Sequence, residues 1–408
     1  MTDFFERSLI IHEQLRGKIG VVGKMPIVNR DDLSLAYTPG VARPCEVIAS
    51  DQSKARELTI KRNSVAVVTD GSAVLGLGNI GPHAAIPVME GKALLFKEFA
   101  NIDAWPICLD TQDVDEIVAT VRRIAPVFGG INLEDISAPR CFAVEQALQD
   151  IGIPVFHDDQ HGTAIVLLAS LLNAAKVLGR NITQMKVVIN GAGAAGTAIA
   201  RLLRCVGHDP NVCVPVQDVV VCDSKGVIHK DRNDLADYKR ELLSYTNREN
   251  RSGSLQDMLV GADVFIGVSK GNLLSSGDIS TMASNSIVLA MANPIPEIMP
   301  DDARRGGAVV IGTGRSDFPN QINNVLAFPG IFRGALDAGA SAISEEMKIA
   351  AARALAAATI NPSAERVLPD PLDRSVAPRI AAAVAEAAIG DNDSTPPSST
   401  NSPNRTNQ

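Results

Sequence analysis

Gly191-Ala-Gly-Ala-Ala-Gly196 stands between a short β-branched run, Lys186 to Ile189, and a proline-free stretch rich in Ala and Leu, Ala194 to Val206. A strand, a Gly-x-Gly-x-x-Gly turn and a helix in that order form the phosphate-binding corner of a dinucleotide domain. Gly191 permits the tight turn. Gly193 lets backbone N–H groups approach a pyrophosphate, and Gly196 lets helix and strand pack closely. Ala194 and Ala195 open the helix, whose free N–H groups and positive dipole end face the phosphates. These five residues are the first cofactor-binding candidates.

The next strand, Val219 to Cys222, ends at Asp223, after a loop from Gly207 to Gln217 that delays it. An acid at this point accepts from both adenosine-ribose hydroxyls and repels a 2′-phosphate, which favours NAD. Lys225 is close by and keeps NADP open. A second glycine set, Gly76, Gly78 and Gly81, is followed at once by Pro82 and then by Pro87. Those prolines argue against a helix running on from Gly81, so this copy is expected to be a glycine-rich loop lining the cleft.

Strands and helices alternate on both sides of the fingerprint. Ser64 to Thr69, Ala104 to Leu109 and Ile153 to Phe156 look like strands, separated by helices over Ala93 to Ala100, Val114 to Ile124 and Pro139 to Asp150. Further strands are expected at Val264 to Ile266, Ile287 to Leu289 and Val309 to Ile311, with a capped short helix from Ser254 to Val260. The chain has 408 residues, 46% of them hydrophobic and only 4% aromatic, which suits two aliphatic cores. The expected fold is α/β, with two α/β domains, the second a Rossmann-type doubly wound parallel sheet. The expected domains are residues 1–161 for substrate and metal and 162–389 for the dinucleotide. Residues 390–408, rich in Ser, Thr, Pro and Asn, form a tail expected to be disordered.

The net charge of −8 and the lack of any basic block exclude a nucleic-acid partner. No apolar run is long enough for a membrane span, and the N-terminus has no signal-peptide core. Six cysteines, at 45, 108, 141, 205, 213 and 222, show no metal or redox spacing. They are expected to be reduced thiols in a cytoplasmic chain.

Two acidic pairs adjoin apolar runs: Glu134 and Asp135 in Ile131-Asn-Leu-Glu-Asp-Ile, and Asp158 and Asp159 in Val155-Phe-His-Asp-Asp-Gln-His-Gly-Thr. Carboxylates at strand ends beside a cleft hold hard cations such as Mg²⁺ or Mn²⁺, but acidic pairs are also ordinary turn residues. His157 and His161 are four apart, a zinc spacing only if both lie in one helix. Here the helix is expected to begin near Gly162 or Thr163, so the histidines are read as orienting the acidic loop or capping that helix.

Lys92 begins an apolar helical stretch with Phe96 and Phe99 on its face, where partial desolvation would lower its pKa toward base function, although the sequence pattern alone favours an ordinary solvated lysine. Lys97 is equally eligible. Tyr37 lies in a Thr-Pro-Gly turn that would hold it rigidly at a loop tip, or pack it at a domain edge. Asn293, Asn323 and Asn324 follow strands of the second domain, where ligands of open α/β sheets bind, although Asn is also common in turns.

In this order Tyr37-Thr-Pro-Gly-Val, Val68-Thr-Asp-Gly, Leu75-Gly-Leu-Gly-Asn-Ile-Gly, Gly91-Lys-Ala, Leu133-Glu-Asp-Ile, His157-Asp-Asp-Gln-His-Gly-Thr, Gly191-Ala-Gly-Ala-Ala-Gly, Asn293-Pro, Asn323-Asn-Val and Phe328-Pro-Gly resemble the malic enzyme family in its short prokaryotic form. The resemblance covers about Tyr37 to Gly334. It implies oxidative decarboxylation of L-malate to pyruvate with NAD(P) and a divalent metal, in a homodimer or higher homo-oligomer. Tyr37 matches the general acid and Lys92 the general base, which also touches substrate. Glu134, Asp135 and Asp159 match the metal ligands and Asp158 the acid beside them. Asn293 and Asn324 match residues that bind substrate and the nicotinamide end of the cofactor. Ala73 stands where larger members carry a carboxylate-binding arginine. The alternatives are a metal-free dehydrogenase of a small hydroxy or amino acid, and a catalytically silent nucleotide-binding regulator.

Overall fold

A computed structural model describes residues 4–394. Strands β1 (Ser64–Thr69), β2 (Asp103–Cys108), β3 (Gly130–Leu133) and β4 (Val155–His157) form a parallel sheet in the order β2-β1-β3-β4. Strands β5 (Lys186–Asn190), β6 (Asp218–Asp223), β7 (Gly226–Val227), β8 (Val264–Gly267), β9 (Ile287–Ala290) and β10 (Val310–Thr313) form the second sheet, in the order β10-β9-β8-β5-β6-β7. Only the short β6–β7 pair is antiparallel. Buried β-branched runs give parallel strands that are covered on both faces. In each sheet the chain reverses direction beside its first strand, between β1 and β3 and between β5 and β8. Ligands of open α/β sheets bind at such points.

Four helices precede the first strand: α1 (Phe4–Leu15), α2 (Arg30–Ala36), α3 (Ala42–Ser50) and α4 (Lys54–Leu58). None of them contributes a buried residue. Around the first sheet lie α5 (Gly81–Ala100), α6 (Val114–Ile124), α7 (Arg140–Ala147) and α8 (Asp158–Val177). The second sheet carries α9 (Ala194–Leu203), α10 (Asp237–Leu242), α11 (Leu255–Leu259), α12 (Ser276–Ile279) and α13 (Pro300–Arg305). The chain closes with α14 (Phe328–Ala338), α15 (Glu345–Ala358) and α16 (Val376–Ser394).

Four expectations are corrected. A helix does start at Gly81, because Pro82 falls in the first turn, where its missing N–H costs nothing; Pro87 is accommodated farther along. Helix α8 begins at Asp158, several residues before Gly162, so the first helical turn itself carries the acidic pair. Residues 390–394 continue α16, and the rest of the tail lies outside the described residues. Cys205 and Cys213 form a disulfide, because the loop after α9 turns back and brings their Cα atoms to 5.6 Å. Cys45, Cys108, Cys141 and Cys222 are free.

Helix α8 is the common wall of the two sheets. It is buried along most of its length and packs against α9 and α15. The expected boundary at residues 161 and 162 falls inside its first turns. The C-terminal helix α14 returns to α5, and one apolar core runs from Val65 and Phe96 through Phe156 to Phe332. Phe96 meets Phe328 and Phe332 edge-on, with ring centroids 4.7 and 5.3 Å apart, and Phe332 meets Phe156 at 5.9 Å. Truncating this shared ring leaves a cavity beneath both sheets. Phe332→Ala is expected to cost about 3–5 kcal/mol, measured by urea unfolding; a cost below about 1 kcal/mol would show that the ring is not a keystone of the core.

Candidate active site

A cavity of about 1690 Å³ lies between the carboxyl ends of the two sheets. Its walls include Ala73 and Gly76 after β1, Glu134 and Asp135 after β3, Lys92 on α5 and Asp159 on α8. From the second sheet they include Asn190 to Ala195, Asp223, Ser269, Asn293 and Asn324. Both reversal points therefore open onto one space.

The fingerprint behaves as its glycines require. Gly191 has φ +124°, a left-handed conformation that glycine adopts readily, and Gly193 is the N-cap of α9 with open space above it. A side chain at Gly196 would collide with the Gly191 carbonyl, so Gly196 sets the close packing of α9 on β5. The other glycine set forms a short 3₁₀ turn over Leu75–Leu77. There Gly76 approaches the Asn293 backbone so closely that no side chain fits. That loop lines the cleft, as expected, and meets the opposite sheet's Asn293 loop.

Lys92 is buried at the chemical end. Its Nζ lies 2.6 Å from Asp158 Oδ2, 2.9 Å from Glu134 Oε1 and 4.2 Å from the Phe328 ring centroid. Burial pulls its pKa down, but Asp158 and Glu134 outweigh burial and raise it above the ordinary lysine value. The expected lowering is thus reversed, and the group rests as an ammonium. Lys97 is exposed, bonds Asp103 at 2.8 Å and stands outside the cavity. Asp158 is fully buried and also accepts from the Asn324 amide; burial lifts it to about 6 against the pull of Lys92. Gly162, one turn on, leaves the room that Asp158 occupies.

Glu134, Asp135 and Asp159 present oxygen atoms all within 4.8 Å of one another. Asp135 has φ +54°, an uncommon left-handed conformation for a non-glycine residue, and its N–H donates to Asp159 Oδ2 at 2.8 Å. Asn132 Nδ2 holds Glu134 Oε2 at 2.8 Å. Burial raises Asp159 to about 6, with Asp158 adding to the shift, and it raises Glu134 against Lys92. An all-oxygen set with excess negative charge fits a hard divalent cation such as Mg²⁺ or Mn²⁺.

His157 is buried and does not cap α8 with its side chain, and His161 bonds Glu145 at 3.1 Å. His157 Nδ1 stands 3.8 Å from Asp159 Oδ2, beside the acidic set. Glu145, on α7, was not apparent from the sequence. It accepts from the His157 N–H at 3.0 Å and the Gln160 amide at 3.1 Å, besides His161, and so clamps the first turn of α8. Lys18 was also missed. It lines the cavity near Gly91 and donates to the Pro87 carbonyl at 2.6 Å. Tyr37 is not brought into the site: it follows α2, is 69% exposed and does not line the cavity.

A dinucleotide corner and an acidic cation site that open onto one cavity define a nicotinamide-dependent, metal-assisted oxidoreductase. The chain belongs to the malic enzyme family: the malic enzyme N-terminal domain matches residues 16–149 and the malic enzyme NAD binding domain matches 160–389. It is 56% identical to the bifunctional malic/malolactic enzyme of Bacillus subtilis, over 94% of this chain and 93% of that one. It is 54% identical to the NAD-dependent malic enzyme of Geobacillus stearothermophilus, over 94% and 78%. The crystal structure of the NAD-dependent malic enzyme of Thermotoga maritima superposes with a TM-score of 0.88 at 47% identity, covering 93% of this chain and 98% of that one.

A carboxylate that orients the acidic first turn of α8 from behind is expected to tune cation affinity. Glu145→Gln should weaken Mn²⁺ binding by about 10- to 100-fold in isothermal titration calorimetry. Unchanged affinity would reduce Glu145 to a packing residue.

Proposed function

We propose that this chain oxidises L-malate at C2 and releases its C4 carboxylate as CO₂, giving pyruvate and a reduced nicotinamide dinucleotide. The observation that carries this reading is that buried Lys92, Asp158, Glu134 and Asp135 meet half-buried Asp159 beside the cavity that holds the fingerprint. A plain hydroxy-acid dehydrogenase needs no such cation site.

Glu134, Asp135 and Asp159 would hold Mg²⁺ or Mn²⁺, and Gly191 to Gly196 the dinucleotide. When bound, the cation supplies a Lewis acid for the C2 oxygen and the dinucleotide a hydride acceptor. Asp158 Oδ2, 2.6 Å from Lys92 Nζ, would take the ammonium's proton, and the neutral amine would then accept the proton of the C2 hydroxyl. Asn324, bonded to Asp158, and Asn293, on the loop after β9, orient substrate and the nicotinamide ring. Tyr37 protonates C3 after CO₂ leaves.

Tyr37 lies outside its own chain's cavity, so we assign it to the site of a second copy. The layer before β1 exposes Phe4, Phe5, Val21, Val22, Val28 and Leu35 along with Tyr37. An apolar surface of that extent marks a protein interface, and a homodimer is the simplest closed assembly. No helix among the described residues is long and apolar enough to cross a membrane. A chain that draws on the nicotinamide pool works where that pool is, which we take to be the cytoplasm.

The assay is absorbance at the reduced-nicotinamide band with L-malate and Mn²⁺, with and without EDTA, and pyruvate measured at the end. Pyruvate should match nucleotide reduced, and EDTA should abolish both; EDTA-resistant reduction, or oxaloacetate as product, would overturn the reading. Lys92→Ala should lose about 10²–10⁴-fold in turnover while keeping nucleotide affinity. Mixing the separately inactive Lys92→Ala and Tyr37→Phe proteins through unfolding and refolding should restore activity, because one site of each mixed dimer is intact. A mixture that stays inactive would put Tyr37 in its own chain's site.

A further inference from the structure

Behind the cavity wall, on the segment that follows β9, Glu297 is fully buried. Among the described residues its donors are backbone amides, and no ammonium or guanidinium stands against it. Oε1 accepts from the Ser269 N–H at 2.9 Å and Oε2 from the Ala292 N–H at 3.1 Å. Burial pushes its pKa above the usual carboxylate value, against the pull of those bonds. A carboxylate buried without a cation is costly, and an apolar side chain would fill the same space without that cost. What the carboxylate adds is the pair of bonds.

The bonds fall where the second sheet ends. Strands β8 and β9 pair up to Gly267 and Ala290, and the Met291 N–H still reaches the Gly267 carbonyl at 2.8 Å. Past that point the carboxylate continues the link, with one oxygen on each loop. Gly267 makes the room, because a side chain there would collide with the carboxylate. The backbone of the same segment closes the arrangement. The Glu297 carbonyl accepts from the Leu273 and Leu274 N–H groups at 2.8 and 3.0 Å, and the Pro296 carbonyl from Asn272 at 3.0 Å. Ser269 Oγ in turn accepts from Asn190 Nδ2 at 2.7 Å, at the end of β5. A chain of bonds thus runs from the fingerprint strand through Ser269 and Glu297 to Ala292, the neighbour of Asn293. Ser269, Lys270, Ala292 and Asn293 line the cavity, whereas Glu297 stands behind them.

We propose that Glu297 is a positioning residue for the nicotinamide ring: it ties the loops after β8 and β9 to each other and to β5, and so fixes the wall against which the ring rests. The proposal rests on the dinucleotide reading above, with Asn293 at the ring. The phosphates are held elsewhere, by Gly191 to Gly196 at the start of α9. Loosening the two loops therefore frees the ring and leaves the phosphate hold intact. Hydride transfer is sensitive to such placement, since a displacement of about 1 Å can cost about 10²-fold in rate.

The test compares the full chain with its Glu297→Gln variant, which keeps the volume but turns one acceptor into a donor facing an N–H. Time-resolved fluorescence anisotropy of bound NADH or NADPH reports how firmly the ring is held. Calorimetry with ADP-ribose or its 2′-phosphate reports the phosphate end, and neither readout needs turnover. In the variant the ring's anisotropy should decay faster while fragment affinity stays the same. Malate-dependent reduction should fall by about 10²-fold, with a larger isotope effect from C2-deuterated malate. An unchanged ring signal, or a fragment affinity that falls along with turnover, would overturn the proposal and leave Glu297 a structural residue. Glu297→Asp, which keeps the charge on a shorter reach, takes the place of Glu297→Gln if that variant does not fold. Failure of both to fold would likewise make the carboxylate a structural element and overturn the proposal. Binding of neither ligand by the unsubstituted chain would instead overturn the dinucleotide reading, and the proposal with it.

Discussion

Everything at the chemical end follows from burying one ammonium among carboxylates. Taking ions out of water costs several kcal/mol each, and the cost is offset only when their partners are all in place. Lys92 comes from α5, Glu134 from the end of β3, Asp158 from the first turn of α8, and Asn324 from the segment before α14. Four distant stretches of chain must meet within hydrogen-bonding distance. Asn132 and the Asp135 N–H complete the arrangement by holding Glu134 and Asp159. One cation faces four carboxylates, and that imbalance is what suits the pocket to a divalent ion.

The two sheets solve the same topological problem twice. Each reverses winding beside its first strand and leaves a crevice there. In the second sheet the crevice meets the α9 N-terminus and is equipped for phosphates. In the first it receives acids from β3 and α8. Helix α8 sets one crevice against the other, because it begins in the acidic cluster and ends at the entry to β5. The clamp from Glu145 and the room left by Gly162 make that first turn a fixed platform.

Strands, the phosphate corner and the acidic pairs were legible in the sequence because each is a local pattern. A β-branched run, a glycine spacing or an acid at a strand end carries its meaning within a few residues. The misreadings share a cause. Pro82 looked like a helix breaker, yet its effect depends on which turn it occupies. Lys92 looked like a lysine with a lowered pKa because its apolar neighbours are close in sequence, whereas Asp158, which reverses the shift, is 66 positions away. Cys205 and Cys213 pair through a turn that their spacing does not announce. Tyr37 stands out by its Thr-Pro-Gly setting, but no local pattern announces that it lies outside its own chain's cavity.

The N-terminal layer has a consequence of a different kind. Helices α1 to α4 bury nothing among the described residues, although they carry large apolar side chains. Apolar surface left in water gives little return for the entropy of ordering it. If that layer gains its core only from another copy, its order is a bimolecular property. The folded population then follows protomer concentration as well as temperature or pH, and dilution alone becomes a denaturant for the first sixty or so residues while the two sheets behind them stay intact.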